Sequence, residues 1–227
     1  MIISHRHRFI FIKTRKTAGT SFEIALSRFL GEDDVITPIS PVDEALRAEL
    51  GYRGAQNYMI PLSRYRFSDW VHCVREREAR CFSNHDSAAF VRDHIDPDTW
   101  NSYFKFTFER NPWDKFISFY FWRNKEEQRP TIAEFIDSPL VPRICAYDQY
   151  SIDGKLAVDK VYRYEEIEQA LRDVTERLGL PGPLEMPRTK TGFRKDARSY
   201  RDILDAAERE RIAAKFSREI DSFGYVW

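Results

Sequence analysis

Cysteine is scarce in this 227-residue chain, and the three that occur, Cys73, Cys81 and Cys145, form no close pair. Neither a disulfide framework nor a zinc site is therefore expected, and the thiols read as reduced. An excess of either charge is also missing. Lys plus Arg equals Asp plus Glu at 36 each, which removes the electrostatic ground for a long nucleic-acid track. No apolar stretch approaches the length of a membrane span, and the first residues enter strand-like sequence without the hydrophobic segment of a signal peptide. The cytoplasm is the expected compartment. Internal repeats and low-complexity segments are lacking, as is any carboxylate cluster that would demand a metal.

What is there reads as an ordinary globular chain, 42% hydrophobic and 32% charged. Its length fits one α/β domain over residues 1–227, with a core large enough to fold without staples. The stretch FIFIKTRKTAGTS, residues 9–21, organises the rest. Phe9, Ile10, Phe11 and Ile12 are consecutive β-formers without polar alternation, which predicts a strand buried on both faces, as in a parallel sheet covered by helices. A crossover helix should follow. Thr20 and Ser21 can cap its start, and Phe22, Ile24, Ala25, Leu26, Phe29 and Leu30 recur at helical spacing. Between strand and helix lie Lys13, Thr14, Arg15, Lys16, Thr17, Ala18 and Gly19. Small residues admit a ligand close to the backbone amides, the helix start adds partial positive charge, and Lys16 adds a full one. A phosphate or sulfate group fits such a cradle; the alternative is a solvated basic turn. The loop is not a Walker A sequence, because its lysine precedes the only glycine.

A second strand–turn–helix unit follows in YFKFTFERNPWDKFISFYFW, residues 103–122. Tyr103, Phe104, Phe106 and Phe108 predict a strand, and Asn111 and Pro112 suit the N-cap and first turn of a helix continued by Phe116, Ile117, Phe119 and Tyr120. Arg110 leaves the strand end and Ser118 falls in the helix's second turn. Both can face one anion at the carboxyl edge of the sheet. Between the units, His85 stands with Asn84 and Asp86 at a loop-to-helix junction, with Ser87 as cap. That position suits a general base, and equally a surface histidine. The first 22 residues carry five basic and no acidic side chains, and a second basic run comprises Arg188, Lys190, Arg194, Lys195, Arg198 and Arg201. Two basic segments in a neutral chain point to a discrete anionic ligand between them, or to two solvated loops. Elsewhere the pattern predicts a helix over 42–50, Arg64 and Arg66 in a groove or surface loop, Trp70 in the core or a cleft wall, and a frayed start at His5 and His7. It also predicts a strand over 158–164 with a helix over 165–178 that Glu165 and Glu166 start, and one final helix over 203–220.

The two units together resemble the carbohydrate-type sulfotransferases, which use 3′-phosphoadenylyl sulfate (PAPS). KTRKTAGTS is similar to that family's 5′-phosphosulfate loop, and FERNPWDKFISFY to its 3′-phosphate motif, in which an arginine before Asn-Pro and a serine eight residues later hold the 3′-phosphate. Weaker similarity runs through NHDSAAFVRDHI and DKVYRYEEI to the terminal DSFGYVW. Thr14-Arg15 departs from the family's usual Ile-Pro, and the membrane anchor of its Golgi members is lacking, so a soluble, bacterial-type member is expected.

The resemblance implies a three-layer, P-loop-like α/β fold with a mainly parallel sheet, and sulfuryl transfer from PAPS to a hydroxyl of a glycan or small molecule, carbohydrate foremost. Catalysis would rest on Lys16 as charge donor and His85 as base, with Glu109 and Asp86 behind it. Arg15, Lys16, Thr17, Ala18, Gly19, Thr20 and Ser21 would surround the 5′-phosphosulfate, Arg110 and Ser118 the 3′-phosphate, and Arg194 would belong to a loop folding over the ligand. The scheme requires no metal. Two other readings stand beside it: an ATP-dependent P-loop kinase, and a non-catalytic nucleotide- or anion-binding module. Acceptor identity and oligomeric state are left open by the sequence.

Overall fold

Ile2–Ser4 (β1) and Phe9–Phe11 (β2) run antiparallel with Ile3 opposite Ile10. The computed structural model describes residues 1–126, 128–187 and 198–227. Val35–Ile36 (β3) pairs with the far side of β1, and Phe104–Glu109 (β4) lies parallel to β2 with Phe106 beside Phe11. A separate hairpin, Ser151–Ile152 (β5) and Lys155–Leu156 (β6), precedes Lys160–Arg163 (β7), which lies parallel to β4. The main sheet has the order β3-β1-β2-β4-β7, and β1 alone points against the other four. Among the described residues the helices are α1 Gly19–Ser27, α2 Pro41–Glu49, α3 Phe67–Glu76, α4 Ala88–His94, α5 Pro97–Ser102, α6 Pro112–Arg123, α7 Ile132–Ile136, α8 Ile167–Arg177, α9 Tyr200–Ile203, α10 Ala206–Lys215 and α11 Ser217–Phe223.

Strand alternation explains the layering. Phe9, Phe11, Phe106, Phe108 and Tyr162 pack on one face with Phe22 and Leu26 of α1 and Val174 of α8. Ile3, Ile10 and Ile12 pack on the other with Ala88 and Val91 of α4. A sheet buried on both sides has no need of polar alternation, which is why Phe9 to Ile12 reads as a continuous apolar run. A third cluster joins α6, α7 and α10 to the last residues of the chain through Phe116, Phe135, Ile212, Phe216 and Tyr225.

Several expectations are corrected. The start of the chain is not frayed: β1 is buried, His5 Nδ1 meets the Tyr103 hydroxyl at 2.9 Å, and His7 Nε2 meets the Phe29 carbonyl at 3.1 Å. The single helix over 203–220 is three, because Asp205 accepts from the Glu208 amide and caps a new start, and the chain breaks again at Phe216. Residues 67–76, to which the sequence pattern assigns no element, form α3. Its Trp70 lies on the surface, and Arg64 and Arg66 pair with Asp96 and Asp93 at 3.0 and 2.8 Å. Among the described residues no helix is long and apolar enough to cross a membrane.

Candidate functional site

The turn after β2 is built from left-handed backbone: Lys16 and Ala18 have φ of 64° and 58°. Non-glycine residues adopt that region at a cost of about 1–2 kcal/mol each, so the surrounding contacts must hold the turn. Three of those contacts are visible. The Thr14 hydroxyl donates to the Phe108 carbonyl, the Thr17 hydroxyl lies 3.0 Å from that of Thr14, and Lys13 Nζ donates to the fully buried Glu23 carboxylate at 2.6 Å. Lys13 is thus a structural lysine, and Thr17 turns inward. Helix α1 begins at Gly19 with Ala18 at the N-cap and no capping side chain; Thr20 and Ser21 lie in the first turn instead of capping it. The amides of that turn are the donors a helix start ordinarily offers to an anion.

Gly19 is required by close approach. A Cβ there would stand 2.9 Å from Lys13 Cγ and 3.4 Å from the Thr14 carbonyl oxygen. Gly19→Ala must therefore displace the lysine that pairs with Glu23. The expected result is a loss of about 1–3 kcal/mol, read as a lower urea midpoint with unchanged m-value.

The second turn is tied to the first. Arg110 donates through Nε and one Nη to Asp114 Oδ2 at 2.9 and 2.6 Å, through its other Nη to the Lys16 carbonyl at 3.1 Å, and lies 4.4 Å from the Tyr164 ring centre. Asn111 caps α6, accepting from the amides of Trp113 and Asp114, and its own amide donates to Glu165 at 2.7 Å. Glu165 therefore braces the start of α6, where the sequence assigned it to its own helix. Beneath, the buried Glu109 carboxylate accepts from Lys115, the Arg110 amide and the Tyr150 hydroxyl, which makes it a support and not a base. Asp86 accepts from the amide and hydroxyl of Ser83.

His85 faces the first turn from the start of α4. Its Nδ1–H donates to the Lys13 carbonyl at 2.8 Å, an acceptor shared with the Gln149 side-chain amide at 2.7 Å. A carbonyl can only accept, so the neutral ring carries its lone pair on Nε2.

Arg15, Lys16, Ala18, Gly19, Thr20, Ser21, His85, Arg110 and Ser118 all line one cleft of about 340 Å³. Thr17 is not among its walls, and Arg194 lies with residues 188–197 outside the described residues. Lys13, Thr14, Phe119, Trp122 and Tyr164 complete the lining, and Lys16 Nζ stands 5.2 Å from the Trp122 ring centre. Trp122 follows Ser118 by four residues and so shares its helix face, a spacing legible in the sequence. Among the described residues no three His, Cys, Asp or Glu side chains gather as metal ligands.

Residues 1–150 match the family model of the Sulfotransferase family, a span that contains both turns and His85. The chain belongs to the sulfotransferase family. An uncharacterized protein of Archaeoglobus fulgidus is 28% identical over 104 residues, which cover 44% of this chain and 87% of that protein. No solved structure matches. Membership of the sulfotransferase family establishes a transferase of sulfuryl groups in general, acting on a hydroxyl-containing acceptor.

The surroundings of His85 also set its charge. Burial, with the positive charge of Arg15 beside it, lowers its pKa from 6.5 to about 3. The native ring thus stays neutral where the unfolded one protonates. Stability from this group is complete above pH 6.5 and declines as pH falls toward 3, because the unfolded chain then binds the extra proton. At pH 5 the loss is about 2 kcal/mol relative to neutral pH. Urea unfolding at pH 7.5 and 5.0 should show this component in the parent protein and lack it in His85→Gln.

Proposed function

We propose that the chain, as one P-loop-like domain over residues 1–227, transfers the sulfuryl group of PAPS to a hydroxyl of a carbohydrate. One observation carries this reading: two strand–turn–helix units, each suited to an anion, open on the same cleft and are joined by the Arg110–Lys16 hydrogen bond of 3.1 Å. A single ligand with phosphates at two separated positions matches that arrangement. When bound, PAPS supplies an activated sulfuryl group on a phosphate leaving group.

The chain's own residues supply the rest. The first turn of α1, with Gly19, Thr20 and Ser21, holds the 5′-phosphate, and Lys16 balances charge that develops on the leaving oxygen. Arg110, oriented by Asp114, and Ser118 hold the 3′-phosphate. The acceptor hydroxyl gives its proton to Nε2 of His85, whose Nδ1–H is fixed on the Lys13 carbonyl. Sulfuryl transfer needs chiefly positioning and charge stabilisation, and these residues provide both without a covalent intermediate on the protein. The test is transfer from PAPS to a panel of glycans and small alcohols, with Lys16→Ala as control. Turnover of at least one glycan is expected, and transfer to none of the panel at saturating PAPS overturns the reading.

A further inference from the structure

Helix α3 is inside out. Its one buried residue is Asp69, while Phe67, Trp70, Val71 and Val74 are 85, 50, 49 and 81% exposed, and Leu62 just before it is 65% exposed. Phe67, Trp70, Val71 and Val74 stand at i, i+3, i+4 and i+7, which is one apolar stripe of a helix. The outward orientation is fixed from within. Asp69 accepts from the Arg66 amide at 2.7 Å and from His94 Nε2 at 2.8 Å, and Arg80 Nε lies 3.3 Å away. The Tyr65 hydroxyl accepts from the Arg80 amide at 2.6 Å. Rotating the stripe inward would break all of these contacts, so the fold holds it out toward solvent.

With aromatic side chains of up to ~200 Å², the five residues expose on the order of 600 Å². That is at the upper limit for a monomer's largest apolar patch, and it approaches the ~800 Å² that each partner contributes to a standard interface. Charge narrows the occupant. Arg64, Arg66 and Arg75 at the rim already hold Asp96, Asp93 and Glu76, and Arg77 at the helix end is matched in charge by the adjacent Glu78, so the rim carries no marked cationic excess to meet an anionic membrane or a polyanion. The whole chain is neutral, with 36 charges of each sign, so two copies meet without net repulsion. A ridge at this spacing packs against its own copy about a two-fold axis, and an apolar centre with a paired polar rim is the anatomy of a protein interface.

We infer that the α3 stripe is the interface of a two-fold symmetric homodimer, with Trp70 and Val71 near the axis. Sedimentation velocity of the full chain across micromolar concentrations tests it. The expected species has twice the 26.9 kDa chain mass and dissociates on dilution. Val74→Glu and Phe67→Glu, at sites already exposed, should sediment as monomers with unchanged far-UV dichroism. Should either variant unfold, oxidation of Val71→Cys offers a second route: it should give a disulfide-linked dimer that the parent, with its own cysteines, does not form. A parent chain that stays monomeric, or variants that fold and still dimerise, would overturn the inference. So would a monomer that co-sediments with vesicles of phosphatidylcholine and phosphatidylserine, since the stripe would then belong to lipid.

Discussion

Replacing Lys16 with alanine is expected to lower kcat for sulfuryl transfer by about 10²–10³, the usual cost of removing one donor aimed at developing charge. The reason is the division of labour between the two lysines of the first turn. Lys13 is buried on Glu23 and holds the turn together, so its charge is already committed. Lys16 lines the cleft, where its ammonium stands against the Trp122 ring, and its carbonyl has a structural task, receiving Arg110. Lys16→Ala leaves that carbonyl in place. The melting temperature should therefore hold while turnover falls, and Lys16→Arg should restore part of the rate by restoring the charge. A kcat within threefold of the parent would remove Lys16 from the chemistry.

His85→Ala is expected to lower kcat by about 10²–10⁴, the range for loss of a positioned general base. The parent's pH profile should be distinctive. Because the free protein keeps this imidazole neutral down to about pH 3, the acid limb of kcat/KM should fall well below the pH 6.5 of an ordinary histidine. An anionic donor beside Lys13, Arg15 and Lys16 offsets the positive charge that helps depress the pKa, so the acid limb of kcat should lie higher than that of kcat/KM. A His85→Ala enzyme with parental kcat and an unchanged acid limb would assign the proton transfer elsewhere. Asp86 and Glu109 are poorly placed for it, since the first is held by Ser83 and the second is buried under Lys115.

The sequence showed the site more clearly than the scaffold around it. Both strand–turn–helix units were legible because an unalternated run of aromatics and β-branched residues, followed by turn residues and a helical period, has few other solutions. The pairing partners were not legible. β1 was legible only as strand-like sequence at the start; that it lies between β2 and β3, with Ile2 and Ile3 buried on opposite faces of the sheet, was not. Helix α3 was not legible because Trp70 alone was weighed, as core or cleft wall, and the helical spacing of Phe67, Trp70, Val71 and Val74 on a surface that no core receives was not. The capping expectation at Thr20 and Ser21 failed for a different reason: the left-handed Ala18 starts α1 without a side-chain cap, and φ cannot be read from an alanine. Glu165 shows the same limit, since its partner is 54 residues away.

Both turns should grip one ligand, the second through a 3′-phosphate. Isothermal titration calorimetry of adenosine 3′,5′-bisphosphate against adenosine 5′-phosphate tests it most directly, with the parent chain and with Arg110→Ala. The parent should bind the bisphosphate about 100-fold more tightly, a gain typical of a charge-assisted contact in a desolvated site, and Arg110→Ala should erase most of that preference. Equal affinity for the two nucleotides in the parent, or tight binding of ATP with magnesium in place of the bisphosphate, would contradict it.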